Sequence, residues 1–307
     1  MIISTFAQMV EQAQKSGPVR AAVAAAAHKE VLQAMVQAHQ MGIIEATLVG
    51  DERLIYQIAE ENGLNLAGIT VLNEPEPKRA VFDVVSLAAQ ARADVIVKGN
   101  IKTDELLSAA LRREGGIRER RLLTHVGIFE IPRMDRLIYI SDSGVVVRPD
   151  IYQKVEIIQN AVDVAHCFGL ERPRVAILSA TEDVDPSLPV SIESLAISRM
   201  ARDGWVEGAV VDGPMSLDVA ISPHSARVKN VSGPVAGRAD ILIVPDVVSG
   251  NIMAKSIQYF GQGRMAGLVV GARVPILISS RADTAETRFL SLAMAAIIVH
   301  HQRRHSS

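Results

Sequence analysis

The chain has 307 residues, 32 Lys and Arg against 34 Asp and Glu, a formal net charge of −2, 49% hydrophobic residues and only 4% aromatics. That charge balance gives no electrostatic ground for a nucleic-acid or charged-membrane partner, and an aliphatic, aromatic-poor composition suits helices packed on a mostly parallel sheet. The length fits one large domain or two modest ones, and two are expected.

MIISTFAQMVEQAQKSG has no basic n-region, and its apolar residues recur at helical spacing, so it reads as a surface helix and not a signal peptide. After Pro18, strands VRAAVAAAA, IEATLVGD, ITVLN and DVIVKGN alternate with helices HKEVLQAMVQAHQMG, ERLIYQIAEENG and KRAVFDVVSLAAQARA. This is repeated βα winding, and right-handed crossovers make it a doubly wound layer. Thr103, followed by Asp104, Glu105 and LLSAALRR, marks a helix start with acids in its first turn.

RLLTHVGIFEI and LIYISDSGVVV, with Pro132, Arg133 and Asp135 between them, read as a hairpin that places His125 in a strand as a core residue. The amphipathic IYQKVEIIQNAVDVAHCFG then separates the first half from a second α/β series beginning RVAILSATE, and serves as a domain joint. Within it Cys167, the single cysteine, reads as a small buried hydrophobe and not a nucleophile. Internal repeats are not expected. The apolar run LAMAAIIV is too short to cross a bilayer, so no membrane partner is expected and the cytoplasm is the default; HHQRRHSS is expected to fray.

Near the C-terminus two apolar strands each run into a polar loop and a helix. The first loop region holds Asp246, Ser249, Gly250, Asn251 and Lys255, and the second holds Ser279, Ser280 and Arg281. Parallel sheets bind ligands beyond the carboxyl ends of their strands, where helix N-termini favour anions. An arginine at a helix start opposes the macrodipole unless it binds an anion, and a guanidinium fork matches phosphate, so Arg281 with Ser280 reads as a phosphate site. Lys98, Gly99 and Asn100 follow DVIV in the same way. Asn251 and Lys255 fall one turn apart and could converge on one ligand, although Asn251 could equally cap its helix. No histidine spacing suits zinc and no GxGxxG occurs, so neither a metal nor a nicotinamide cofactor is expected.

SGPVAGRADILIVPDVVSGNIMAKSIQYF and GARVPILISSRADTAE, with VIVKGNIKTDELLSAAL, GIRERRLLTHVGIFEIP, YISDSGVVVRPD and VVDGPMSLDVAIS in order upstream, resemble the phosphate acetyltransferase and phosphate butyryltransferase family over nearly the whole chain. The wording is nearer the butyryl branch. The resemblance implies a two-domain isocitrate/isopropylmalate dehydrogenase-like α/β architecture with an interdomain active-site cleft, in which the chain returns to its first domain. The boundaries expected are 1–150 with 268–307, and 151–267. It also implies reversible transfer of a short acyl group between CoA and inorganic phosphate. The partners are then acyl-CoA, inorganic phosphate and acyl phosphate, CoA is a substrate and no cofactor is needed, and the protein is a homo-oligomer.

Ser280 and Arg281 would orient the phosphate. The resemblance further assigns ligand contacts to Asp142, Asp246, Gly250, Asn251 and Lys255, and Arg118 and Arg121 match the GxRxxRLL pattern of the butyryl branch. The acetyl branch has an Asp, proposed as a base, where this chain has Thr287, and members of the family commonly carry a ligand-binding Arg where it has Ser108. Asp283 is then the nearby candidate base, although Asp283 and Glu286 also have the spacing of a capping box. Two alternatives are a metal-dependent decarboxylating dehydrogenase on the same architecture and a noncatalytic CoA or acyl-phosphate binder.

Overall fold

The computed structural model describes residues 1–119 and 121–305. In chain order the elements are α1 (Phe6–Ser16), β1 (Val19–Ala24), α2 (Lys29–Gln40), β2 (Ile44–Gly50), α3 (Glu52–Glu61), β3 (Thr70–Asn73), α4 (Pro77–Ala89), β4 (Val95–Lys98), α5 (Thr103–Ala110), β5 (Thr124–Glu130) and β6 (Ile138–Ser141). Then come α6 (Ile151–Cys167), β7 (Arg174–Leu178), α7 (Pro189–Met200), a π-turn (Ala201–Trp205), β8 (Val210–Met215), α8 (Leu217–Ile221) and α9 (Pro223–Val228). The chain ends with β9 (Ile241–Ile243), α10 (Val247–Tyr259), β10 (Arg264–Val270), β11 (Ile276–Leu277) and α11 (Ala285–His305).

These elements form two compact units, Phe6–Arg121 with Ala266–Ser307, and Met1–Thr5 with Leu122–Met265. In the first, parallel strands run in the order β3-β2-β1-β4-β11, and β10 adds antiparallel to β11. β1 and β4 are wholly or almost wholly buried, which is why they read as unbroken apolar runs. α1 turns Phe6, Met9 and Ala13 inward, and α11 buries every residue from Arg288 to Val299. In the second unit the order is β5-β6-β9-β7-β8, antiparallel only at the β5–β6 hairpin. Its core gathers Phe129, Ile138, Ile140, Ala176, Met215 and Leu242.

The expected division at residue 150 differs from this one. β6 pairs in parallel with β9, so the hairpin belongs to the sheet of the later strands and the unit begins at Leu122. The return of the chain to its first unit, expected at residue 268, occurs at Ala266.

One arrangement recurs in both units. The Arg20 backbone N–H and its Nε donate to Asp94 Oδ2 at 2.8 and 2.9 Å, and its Nη2 donates to Oδ1 at 2.6 Å. Arg174 makes the same three bonds to Asp240, at 2.9, 2.9 and 2.8 Å. Each bidentate pair ties the start of one strand to the residue before its parallel neighbour, and an Ala-Asp dipeptide preceded by Arg is too short a signal to announce itself as a repeat. The tail expected to fray is helical to His305, held by an Arg303–Asp94 ion pair of 2.8 Å and by His300 against Gly17 O at 2.9 Å.

Candidate active site

A cavity of about 470 Å³ opens at the carboxyl end of the first unit's parallel strands, and its lining includes Lys98, Gly99, Asn100, Ser279, Ser280, Arg281 and Arg288. The N-cap residues of α2, α4 and α5 (His28, Glu76 and Lys102) also line it, and none of the three makes a side-chain capping hydrogen bond. Three helix N-termini, with their positive dipole ends, therefore border one space. The lining carries five cations, Lys78, Lys98, Lys102, Arg281 and Arg288, against two carboxylates, Glu76 and Glu105. That excess suits a multiply charged anion.

Gly99 seats the loop. Its backbone N–H donates to Ala24 O at 2.9 Å, and a Cβ there would lie 2.1 Å from Ala25 O, so no other residue fits against the end of β1. Lys98 is 7% exposed and its ammonium donates to Ile101 O at 2.9 Å. Burial first, and then the Arg288 and Arg281 guanidiniums, push its ammonium below the ordinary lysine range, while Asp283 opposes them.

The loop after β11 is tied to itself. The Ser280 N–H donates to Asp283 Oδ2 at 2.7 Å, and the Asp283 N–H donates to Ser280 O at 3.1 Å. The expected Asp283/Glu286 capping box is displaced by one residue, since the Thr287 N–H donates to Thr284 Oγ1 at 3.2 Å. α11 begins at Ala285, so Thr284 stands at the N-cap and Asp283 is released to close the loop.

Sequence reasoning missed Arg288, which is 3% exposed. Its Nη2 donates to Ser280 O at 3.0 Å, and its Nη1 donates to Asp283 O and, at 3.3 Å, to Thr284 O. An arginine opening an otherwise apolar helix was the available signal, because a buried guanidinium must find partners.

The other expected site residues lie outside the lining of this cavity. Asp142 is 2% exposed, and its carboxylate accepts the backbone N–H groups of His125, Gly144, Val145 and Val146, so it shapes its own loop. Asp246 caps α10 in a capping box with Ser249, which removes Asn251 from that role. The Ser249 backbone N–H holds the Asp246 carboxyl below its ordinary value. Gly250 lets α10 approach the Asp142 loop, where a Cβ would meet Asp142 O at 2.8 Å. Asn251 is exposed and Lys255 half-buried on α10, with Lys255 Nζ 3.5 Å from Gln258 Oε1. Arg118 and Arg121 are exposed on the loop between α5 and β5, outside the cavity lining, and Ser108 is exposed on α5.

His125 is a satisfied core residue, with Nδ1 2.9 Å from Ser143 Oγ. Cys167 is half-buried, and its thiol donates to Asp163 O at 3.2 Å. Among the described residues no three His, Cys, Asp or Glu are placed to hold a metal, and no helix is long and apolar enough to cross a membrane.

Residues 78–296 match the Phosphate acetyl/butaryl transferase family. The chain belongs to that family. It is 36% identical over 297 residues to the phosphate butyryltransferase of Clostridium acetobutylicum, covering 97% of this chain and 99% of the relative. It is 38% identical over 299 residues to the phosphate acetyltransferase of Rickettsia felis, covering 97% and 86%. A branched-chain phosphotransacylase from Enterococcus faecalis V583 superposes with a TM-score of 0.83 at 30% identity, over 92% of this chain and 99% of that one. The chain is thus an enzyme of the phosphate acyltransferase type, and a dehydrogenase assignment is not favoured. The butyryl and acetyl relatives are equally similar, so the acyl group belongs to the proposal below.

Proposed function

We propose that the protein transfers a short acyl group, butyryl or acetyl, reversibly between CoA and inorganic phosphate, with the phosphate held in the cavity at Ser280 and Arg281. The observation that carries this reading is the meeting of five cations and three helix N-termini without side-chain caps around one space. Arg281 and Lys98 offset the phosphate charge, and the Ser280 hydroxyl and the Asn100 amide add neutral donors. A phosphate oxygen attacks the thioester carbonyl, the C–O bond forms, the C–S bond breaks, and CoA leaves as a thiolate that takes up one proton.

Positioning and electrostatic stabilisation supply the acceleration. Asp283 is the proposed proton carrier, since Thr287 has no titratable group. Arg118, Arg121, Asn251 and Lys255 are proposed CoA contacts. Acyl-CoA, inorganic phosphate and acyl phosphate are the reactants, and the chemistry requires no cofactor beyond CoA as substrate. The finer fold assignment, an isocitrate/isopropylmalate dehydrogenase-like architecture, belongs to the same proposal, as do a homo-oligomeric state and a cytoplasmic location.

The test is thiol release from acetyl-, propionyl- and butyryl-CoA with and without phosphate, with NAD reduction as the control. Phosphate-dependent release with at least one of the three supports the reading. NAD reduction on a hydroxy acid, or binding without turnover, overturns it.

A further inference from the structure

The arginine that binds the phosphate loop from beneath has one donor left over. Arg288 spends Nη1 and Nη2 on the carbonyls of Ser280, Asp283 and Thr284, and these bonds fix the loop that carries Arg281. Its Nε is buried with no hydrogen-bond partner among the described residues, and Arg288 lines the cavity. A buried N–H without a partner is destabilising, more so on a charged group, so such a donor calls for an acceptor that arrives with a ligand.

The charges around it point to what that ligand carries. Burial disfavours the Arg288 charge, with Asp283 and Glu30 opposing, and Arg288 in turn helps to push Lys98 down. Asp283 is already engaged with Ser280 N–H. A dianion placed among Lys98, Arg281 and Arg288 relieves all three cations at once.

We propose that Arg288 is a second phosphate-binding arginine of this cavity, gripping the loop through Nη1 and Nη2 and the anion through Nε. This rests on the assignment of the phosphate to the Ser280–Arg281 loop. It adds a division of labour, in which Arg281 meets the anion from the exposed side and Arg288 meets it from the protein interior. Lysine cannot replace it, because one ammonium cannot hold the loop carbonyls and the anion along a planar fork.

The test measures KM for inorganic phosphate and for acyl-CoA in wild type, Arg288→Lys, Arg288→Met and Arg281→Ala. The rise in thermal midpoint given by added inorganic phosphate is recorded for each. For folded Arg288→Lys the expected result is a phosphate KM raised about ten- to a hundredfold, the scale of one lost hydrogen bond to a charged group, with acyl-CoA KM within about threefold. The phosphate-induced thermal shift should also be lost.

Arg288→Lys keeps the positive charge and decides the matter if Arg288→Met fails to fold. A folded Arg288→Lys protein with phosphate KM within about twofold of wild type and an intact thermal shift overturns the proposal. If Arg281→Ala also leaves phosphate KM unchanged, the site assignment itself fails. If only Arg281→Ala responds, the site stands and Arg288 is a structural residue alone.

Discussion

Asp283 and Ser280 exchange two hydrogen bonds, the Ser280 N–H to Asp283 Oδ2 at 2.7 Å and the Asp283 N–H to Ser280 O at 3.1 Å. The carboxylate proposed to move a proton is therefore also the clasp of the loop proposed to hold the phosphate. Asp283→Asn separates the two roles, since the amide oxygen can still accept from Ser280 while the charge and the proton site are gone. We expect Asp283→Asn to lower turnover more than its loss of stability explains, and Glu286→Gln to leave turnover within about threefold, because glutamine preserves shape at an exposed first-turn position outside the loop clasp. Turnover and urea midpoints measured together check this, and equal small effects from both variants would make Asp283 purely structural.

The cap at Thr284 gives a cleaner stability prediction. Thr284→Ala removes the acceptor for the Thr287 N–H and should cost about 0.5–2 kcal/mol, read as a lowered denaturation midpoint. Asp283→Ala would be the more damaging of the two if Asp283 were the cap.

Acid stability should depend on Asp94. Burial alone would raise its carboxyl, but hydrogen bonds from the Arg20 side chain and backbone and from Arg303 outweigh it and hold the folded value below the ordinary 3.8. A lowered folded value means that the contribution is present above the unfolded value and is lost as pH falls through the folded one. Asp94→Asn should thus destabilise the protein by about 1–3 kcal/mol at neutral pH and flatten the decline of stability below about pH 4. Urea midpoints from pH 7 to pH 3 test it, and an unchanged acid slope would contradict it.

Gly99→Ala should be poorly tolerated, because the added Cβ meets the Ala24 and Ala25 carbonyl oxygens at 2.5 and 2.1 Å. The backbone must shift, carrying Lys98 and Asn100 with it, so both stability and phosphate KM should suffer. Wild-type values for both would mean that the loop has slack it does not display.

The strands, the βα winding and the strand-end loops were legible because buried parallel strands leave continuous apolar runs and their loops begin with turn residues. The same strand-end position marks Lys98, Ser280 and Arg281, which the fold brings to one cavity. What escaped depended on long-range pairing. The hairpin of β5 and β6 looked local, and its parallel partner β9 lies about a hundred residues on. Arg303 looked like part of a solvated tail until Asp94 supplied its partner. Arg288 was hidden because its partners are backbone carbonyls, which leave no trace in residue identity. The four backbone N–H groups that Asp142 gathers were hidden for the same reason.

Arg281 is the residue on which the proposed phosphate placement depends most. The decisive measurement is phosphate-dependent CoA thiol release by wild type and by Arg281→Ala, both shown to be folded by their thermal midpoints. Losing a charge-assisted contact to the reacting anion should cost about 2–4 kcal/mol, a fall of about thirty- to a thousandfold in kcat/KM, with Arg281→Lys restoring little. Turnover within about threefold of wild type in a well-folded Arg281→Ala protein would contradict the placement of phosphate in this cavity.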